Sequence, residues 1–214
     1  MGKSFITADH HFFHENIIKY TGRPFAGLED MHETMIKNWN DVVGPDDLVW
    51  HLGDFCMSGH YDDMKNILDR LNGDKILILG NHDTYKKDEY LKSGFKEVYA
   101  HPIIIHQVLI LSHEPMAMSE DMPYYNLHGH THDRDILENE NKRRNVSVEK
   151  TGFYPINMGK LRNEVLKKMD EKSAKKTLVR NLETVKAIDD AIVGKGLSRV
   201  YETTEEMLDD LDKE

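Results

Sequence analysis

Five short polar segments hold most of the residues whose types and spacing could do chemistry in this chain. In chain order they are Asp9-His10-His11, Gly53-Asp54, Gly80-Asn81-His82-Asp83, Ser112-His113 and Gly129-His130-Thr131-His132. Several of them directly follow an apolar, strand-like run, and α/β sheets place their ligands in loops at the carboxyl ends of buried strands. Their Asp, Asn and His side chains are suitable ligands for divalent cations. The combination predicts a dinuclear metal site.

The spacing divides these side chains between two ions. Asp9 and His11 flank one residue, so in an extended loop they project to the same side and share the first metal. Asp54 can bridge, because a carboxylate has two oxygens and two-metal hydrolases hold their ions about 3.5–4 Å apart. The other predicted ligands are Asn81, His113 and His130 for the second metal and His132 for the first.

Four further residues are candidates for contact with the substrate or with the reacting atoms. His82 follows Asn81 and is left over as a catalytic imidazole, and Asp83 could fix its tautomer. His14, three residues after His11, and Arg23 could bind a substrate phosphate. The alternatives are a capping or surface histidine at position 14 and a surface salt bridge at position 23.

The motif order resembles that of the calcineurin-like metallophosphoesterases, whose pattern is D-x-H, G-D, G-N-H-D/E, a His, and G-H-x-H. All five elements occur in order between Asp9 and His132. Residues 11–18 and the Arg23-Pro24-Phe25 segment also resemble a small prokaryotic or phage-type branch. The resemblance implies the ligand division given above, with Asp54 shared, and implies that His82 lies outside both metal shells.

The expected chemistry is hydrolysis of a phosphate ester by a metal-bound hydroxide. Two cations lower the pKa of a bridging water and take up charge on the phosphoryl oxygens. Asp54, His82 and Asp83 are the predicted catalytic residues, with His82 stabilising or protonating the leaving oxygen. The resemblance implies manganese, whereas the Asp, Asn and His ligands also suit iron, nickel, cobalt and zinc.

The elements that position these residues alternate between apolar strands and amphipathic helices. Strands are predicted at residues 4–8, 47–52, 75–79, 103–105, 108–111, 124–128 and 145–149, and helices at 15–20, 29–43 and 62–71. Residues 133–144 are interpreted as a charged loop, in which Arg143 and Arg144 are either solvated or part of a substrate rim. The family resemblance implies an α/β fold, a two-sheet mixed β-sandwich flanked by helices.

The composition changes at Gly159, which predicts two parts. Residues 1–158 form the metallophosphoesterase domain, and residues 159–214 form a mainly helical C-terminal extension. We expect the apolar stripe of this extension to pack on the main domain; an oligomerisation element or a lid over the cleft are the alternatives.

The composition also bears on partners and location. The formal charge of −10 argues against a broad nucleic-acid footprint, which needs clustered Lys and Arg. The single cysteine, the lack of an apolar run of roughly 20 residues and the lack of a signal-peptide core favour a cytoplasmic protein without a membrane partner. We expect a small phosphorylated substrate and leave a homo-oligomer open.

Three functions are therefore compared. The first is a metal-dependent phosphodiesterase that acts on a small nucleotide-type or other phosphodiester. The second is a nuclease of the same superfamily, which the acidic charge disfavours. The third is a catalytically silent interaction scaffold, which should have lost ligands or His82, and this chain retains all of them.

Overall fold

The computed structural model describes residues 2–119, 122–134, 142–168 and 186. Within this part of the chain, a first sheet runs in the order β4-β3-β2-β1-β9. Strands β1 to β4 are parallel, and β9 is antiparallel to β1. The strands are β1 (Ser4–Thr7), β2 (Leu48–His51), β3 (Asp74–Ile78), β4 (Glu97–Tyr99) and β9 (Ile156–Asn157). The carboxyl ends of β1, β2 and β3 therefore meet at one edge, where the first three polar segments begin.

A second sheet runs in the order β5-β6-β7-β8 within the same described residues. Its strands are β5 (Ile103–Ile105), β6 (Leu109–Ser112), β7 (Tyr125–His128) and β8 (Arg143–Asn145). Strand β5 is antiparallel to β6, whereas β6, β7 and β8 are parallel. The carboxyl ends of β6 and β7 lead into the fourth and fifth polar segments. Two mixed sheets with helices confirm the predicted fold class.

The helices follow from amphipathic spacing. In α2, Met31, Met35 and Trp39 are spaced four residues apart and fully buried, as expected for one face of a helix. The described helices are α1 (Glu15–Tyr20), α2 (Leu28–Val42), α3 (Tyr61–Arg70), α4 (Lys87–Ser93) and α5 (Met158–Lys168).

Two apolar cores lie on opposite faces of the first sheet. The alternation of side chains along β1 sends Phe5 into one core with the buried faces of α2 and α3. The neighbouring Ile6 enters the other core, together with Leu109 and Leu127 of the second sheet. The second core thus lies between the sheets and fixes the loops of both sheets relative to each other.

The chain after β7 differs from its sequence prediction. The strand predicted at residues 145–149 is wrong: β8 covers Arg143–Asn145, and Val148–Lys150 form a 3-10 helix. The reason is tertiary, since Ser147 forms a bridge with Ala8 of the first sheet and the chain turns there. Arg143 and Arg144 accordingly lie in a strand, and Arg144 pairs with Glu164 of α5.

Other elements were not predicted. The helix α4 and the strands β4 and β9 are short. The charged residues at the start of α4 leave too few apolar positions to show a helical period. The helix α5, in contrast, covers the start of the predicted helical extension and places Met158, Leu161 and Val165 in the core between the sheets. Apart from Lys186, the rest of the predicted C-terminal extension lies outside the described residues, so its packing stays a prediction. Among the described residues, no helix combines the length and apolarity needed to cross a membrane.

Candidate metal centre

Backbone contacts join the polar segments at the strand ends. The Asp9 amide donates to the Gly53 carbonyl at 3.0 Å, and the Gly129 amide donates to the His113 carbonyl at 2.9 Å. The His130 amide then donates to Asp9 Oδ2 at 2.9 Å, which connects the two sheets. The His82 amide donates to Asp54 Oδ1, which adds the remaining segment, so the five segments form one cluster.

A first group of potential ligands consists of Asp9, His11 and His132. One ligand atom from each lies within 4.8 Å of the others. Asp9 is fully buried and His11 is nearly so. The group unites the two ends of the motif region, as the sequence predicted for the first metal.

A second group consists of Asp54, His113 and His130, with ligand atoms again within 4.8 Å of one another. The amide oxygen of Asn81 lies 2.9 Å from both His113 Nε2 and His130 Nδ1. The two imidazole nitrogens are themselves 3.1 Å apart. The structure thus brings together the four residues that the sequence assigned to the second metal.

Asp54 lies between the two groups. Its Oδ2 atom is 3.4 Å from His11 Nε2 on one side and 3.4 Å from His113 Nε2 on the other. Its Oδ1 atom accepts the His82 amide at 2.9 Å. One carboxylate oxygen therefore faces both groups, which is the position that a bridging ligand requires.

The unpaired atoms of the cluster fit divalent metal ions. His11 Nε2 is buried and has no hydrogen-bond partner among the residues that the structure describes. His113 Nδ1 lies 2.8 Å from the Leu52 carbonyl oxygen, which can only accept, so Nδ1 carries the proton. His113 Nε2 then presents a lone pair toward the Asn81 oxygen, another acceptor. A cation would stabilise these converging lone pairs.

The pKa values of the cluster also favour a bound metal ion. Burial raises the pKa of Asp9 to about 7. Burial also lowers the pKa of His113 to about 4 and moves the pKa of His11 far below its usual range. The interior therefore favours uncharged side chains. A bound divalent cation would offset the cost of burying the ionised carboxylate and would keep the imidazoles neutral.

Five of the predicted ligands have backbone φ angles in the left-handed region. The values lie between 50° and 67°, and the residues are Asp9, His11, Asp54, His130 and His132. This conformation costs roughly 1–2 kcal/mol for each residue with a side chain. The side chains of Asp9 and His11 converge because of this turn, and the extended loop assumed from their spacing is wrong.

Two motif glycines are required by close approach. A Cβ atom on Gly80 would overlap the Asp54 carboxylate, and one on Gly129 would overlap the Asp9 carboxylate. Gly80 therefore lets its loop approach a carboxylate that follows the neighbouring strand, and Gly129 lets its loop approach a carboxylate of the other sheet's loops.

Glu149 is a functional residue that the sequence reasoning missed. Its Oε1 atom lies 3.0 Å from His132 Nδ1 and accepts from Arg23 Nη2 at 2.7 Å. Burial alone would raise the pKa of Glu149, but His132 and Arg23 lower it. A carboxylate on one nitrogen of a histidine fixes the tautomer and leaves the other nitrogen for a metal. No motif marks Glu149, since it follows a three-residue strand in a separate part of the chain.

Arg23 has a different role from the predicted phosphate clamp. Its side chain is fully buried in an ion pair with Glu149. It also donates to the backbone carbonyls of Asp9 at 2.7 Å and His10 at 2.8 Å. Because its guanidinium nitrogens make these contacts, Arg23 stabilises the first ligand loop and does not face a substrate.

Two other supporting contacts have no sequence signal. The Ser147 hydroxyl lies 2.7 Å from Asp9 Oδ2. The Met57 sulfur lies 3.3 Å from His11 Nδ1. Both contacts hold ligands of the first group in place.

The remaining predicted residues occupy distinct positions. Asp83 accepts the backbone amides of Asp54 at 2.7 Å, Gly80 at 2.8 Å and Phe55 at 3.1 Å, so its described partners are amides and not the His82 imidazole. His82 is exposed, with its ring 5.3 Å from that of His11. His14 lies beside both, with ring centroids 5.4 Å from His11 and 6.4 Å from His82.

Comparison with known proteins identifies the family. The model of the calcineurin-like phosphoesterase family matches residues 3–186. The chain belongs to the calcineurin-like phosphoesterase family. It is accordingly a phosphoesterase, and the family implies divalent metal ions at the two ligand groups described above.

Relatives of this calcineurin-like phosphoesterase come from an archaeon and from bacteriophages. It is 34% identical to the uncharacterized protein MJ1445 of Methanocaldococcus jannaschii, over 74% of this chain and 88% of the relative. It is 31% identical to the Gene 66 protein of Mycobacterium phage L5, over 69% of this chain and 86% of the relative. These relatives confirm the small prokaryotic or phage-type branch.

Solved structures also resemble this phosphoesterase. The protein of unknown function AQ665 from Aquifex aeolicus superposes with a TM-score of 0.61 at 28% identity, over 76% of this chain and 99% of that one. The Pseudomonas putida nuclease MPE matches with a TM-score of 0.43 at 21% identity, over 60% of this chain and 61% of that one. The second likeness is too distant to favour a nuclease.

Proposed function

We propose that this phosphoesterase is a dinuclear-metal-dependent phosphodiesterase that hydrolyses a small nucleotide-type or other phosphodiester. The observation that carries the proposal is the position of Asp54 Oδ2, 3.4 Å from an imidazole nitrogen of each ligand group. A structural site needs one closed ligand shell. Two shells that share a carboxylate match the arrangement of two-metal hydrolases.

The chain's own residues would hold the ions in two sets. Asp9, His11 and His132 would bind the first ion, and Asn81, His113 and His130 the second, with Asp54 common to both. When bound, such a pair of ions supplies an activated water and neutralises charge on the phosphoryl oxygens. We propose manganese as the native metal, with iron, nickel, cobalt and zinc as alternatives.

His82 is the proposed proton donor to the leaving oxygen. Its backbone is fixed by the hydrogen bond to Asp54, while its imidazole is exposed beside His11 and His14. An imidazole in this place can reach a substrate without giving up a structural contact. His14 is proposed to bind the substrate phosphate, because its buried Nδ1 has no hydrogen-bond partner among the described residues.

The partners and location follow the sequence argument. We propose a small phosphorylated substrate in the cytoplasm and no membrane partner. The net charge of −10 supports a small substrate over a nucleic-acid duplex.

The test compares bis(p-nitrophenyl) phosphate with p-nitrophenyl phosphate in the presence of manganese. We expect faster hydrolysis of the diester. His82→Ala should lower kcat by roughly 10²–10⁴-fold while the bound manganese is retained. His60→Ala, a change at an exposed histidine at the start of α3, serves as the control. Manganese-loaded protein that cleaves neither compound would support the scaffold alternative.

A further inference from the structure

A pocket of about 330 Å³ opens beside the second ligand group. Asn81 and His113 form part of its wall, so the pocket is continuous with the metal centre. Its volume lies near the lower end of the roughly 300–1,000 Å³ typical of small-ligand sites. The pocket is thus large enough for one substituent of a phosphodiester.

The wall of the pocket is mainly apolar. Ile78 and Leu79 come from the end of β3, Pro102 from the segment before β5, and Pro115 and Met116 from the segment after β6. Proline rings and a methionine thioether offer flat or adaptable apolar contacts to a planar ring. The wall therefore favours an organic ring system over a hydrated polar group.

The charge of the wall disfavours a second phosphate. Among the described residues that line the pocket, none is a lysine or an arginine. The exposed carboxylate of Glu114 stands at the same wall. A carboxylate repels an additional phosphate, whereas an uncharged ring meets no such penalty.

The pocket and the proposed proton donor to the leaving group lie beside different ligand groups, and Asp54 Oδ2 is 3.4 Å from a histidine of each group. His82 and His14 are beside His11 of the first ligand group, and the exposed Tyr20 is next to His14. The pocket is beside His113 of the second group. A phosphodiester placed across Asp54 would therefore direct its leaving oxygen toward His82 and its other ester group toward the pocket.

We propose that this pocket binds the ester group that stays on phosphorus, and that this group is an uncharged ring system of nucleoside type. The proposal rests on the proposed function and narrows its substrate class. It selects diesters whose retained group is a nucleoside without a further phosphate.

The experiment varies only the retained group. Thymidine 5′-(p-nitrophenyl) phosphate and methyl p-nitrophenyl phosphate release the same p-nitrophenolate, so the ratio of their kcat/KM values reports contacts to thymidine or methyl. The wild-type protein should prefer the thymidine ester by roughly tenfold or more, the range that pocket contacts supply. Met116→Trp, which fills the pocket, should abolish this preference.

The matched control is Met122→Trp, the same replacement at an exposed methionine that does not line the pocket. This control should keep the wild-type preference. A Met116→Trp variant that keeps it too, or a wild-type protein that shows no preference, would overturn the proposal.

A charge test separates a nucleoside from a nucleic-acid strand. A 3′-phosphate added to the thymidine ester should lower its kcat/KM in the wild-type protein, and Glu114→Lys should remove this loss. If the wild-type protein instead prefers the 3′-phosphorylated ester, the uncharged group is refuted and an oligonucleotide substrate is supported.

Calorimetric binding of thymidine 5′-monophosphate to the manganese-loaded protein provides a readout independent of turnover. Binding that Met116→Trp weakens and Met122→Trp preserves would support the pocket even if no ester is hydrolysed, in which case only the proposed function fails. Equal binding by the wild-type protein and Met116→Trp contradicts the pocket assignment.

Discussion

The two ligand groups differ in what surrounds them. In the first group, Asp9 and His11 are buried, and Ser147, Glu149 and Arg23 hold that group from the protein interior. His132 of the first group and His130 of the second are both half-buried, and the second group adds the exposed Asn81. The second group also opens onto the pocket of about 330 Å³.

This difference suggests that the first group mainly holds its metal ion and that the second also admits the substrate. The first group is held by buried charged supports and is therefore preorganised, so its metal affinity depends on residues that no substrate contacts. The second group, with one exposed ligand beside a pocket, can admit a substrate oxygen or ester group without unfolding its surroundings. Asp54 connects the two, and its loss should therefore affect both groups, whereas other changes should affect one.

Asp54→Asn should have the largest effect. It removes the carboxylate oxygen that faces both groups, and it keeps the side-chain volume and an acceptor for the His82 amide. We expect the loss in metal affinity at both sites to exceed the roughly 10–100-fold typical of supporting residues. Isothermal titration with manganese measures this, with Asp46→Asn at an exposed position as the control. Loss at one site only would contradict a shared ligand.

Glu149→Gln should affect the first group alone. The amide keeps the shape but removes the charge that Arg23 and His132 share. We expect a roughly 10–100-fold weaker first site and an unchanged second site in the same titration. The matched control is Glu164→Gln, since Glu164 of α5 pairs with Arg144 of β8 and contacts no ligand in the described structure. Equal weakening of both sites would show that the two groups are not separately supported.

The pH dependence of metal binding should differ between the groups. Burial raises the pKa of Asp9 to about 7; burial alone would lower the pKa of His132, but Glu149 raises it above its usual 6.5. Asp9 and His132 must both be deprotonated to bind a metal. The metal affinity of the first site should therefore rise with pH up to about 7 or slightly above and then level off. His113, with its pKa lowered by burial to about 4, is already neutral throughout this range.

Proton release measured by titration in buffers of different ionisation enthalpy checks this prediction. Binding at the first site should release at least about one more proton at pH 6 than at pH 8. Proton release that does not change between these pH values would contradict a raised pKa of the buried Asp9 carboxyl group.

Ser147→Ala should have the smallest effect. It removes the hydroxyl that contacts Asp9 Oδ2 and Asn145 Oδ1, and it leaves Glu149 and Arg23 in place. A single hydrogen bond contributes about 0.5–1.5 kcal/mol, so the free energy of unfolding and first-site affinity should fall only within that range. Chemical denaturation measures the first quantity. A loss as large as that of Glu149→Gln would mean that the hydroxyl, and not the buried ion pair, sets the position of the first group.

The sequence predicted the ligands because of the sheet geometry. Asp9, Asp54 and Asn81 each follow an apolar run, and the parallel pairing of β1, β2 and β3 brings the ends of those runs together. The pairing of His113 with His130 follows in the same way from β6 and β7. A strand end is visible in a local window, which is why these residues could be found.

The supports of the first group could not be found in this way. Arg23 and Glu149 are 126 residues apart in the chain, and neither lies in a ligand motif. Their contact depends on the 3-10 turn after β8, which replaced the strand predicted there. The left-handed backbone at five ligands was equally invisible, because it is imposed by contacts between loops and not by the local residue types.

The most direct test of the account is anomalous diffraction from crystals grown with manganese. Two peaks about 3.5–4 Å apart, with Asp54 between them and Glu149 bound to neither, are the expected result. The peak on the Asp9 side should contact His11 and His132, and the other should contact Asn81, His113 and His130. A single peak, or two peaks that do not share Asp54, would contradict the dinuclear centre.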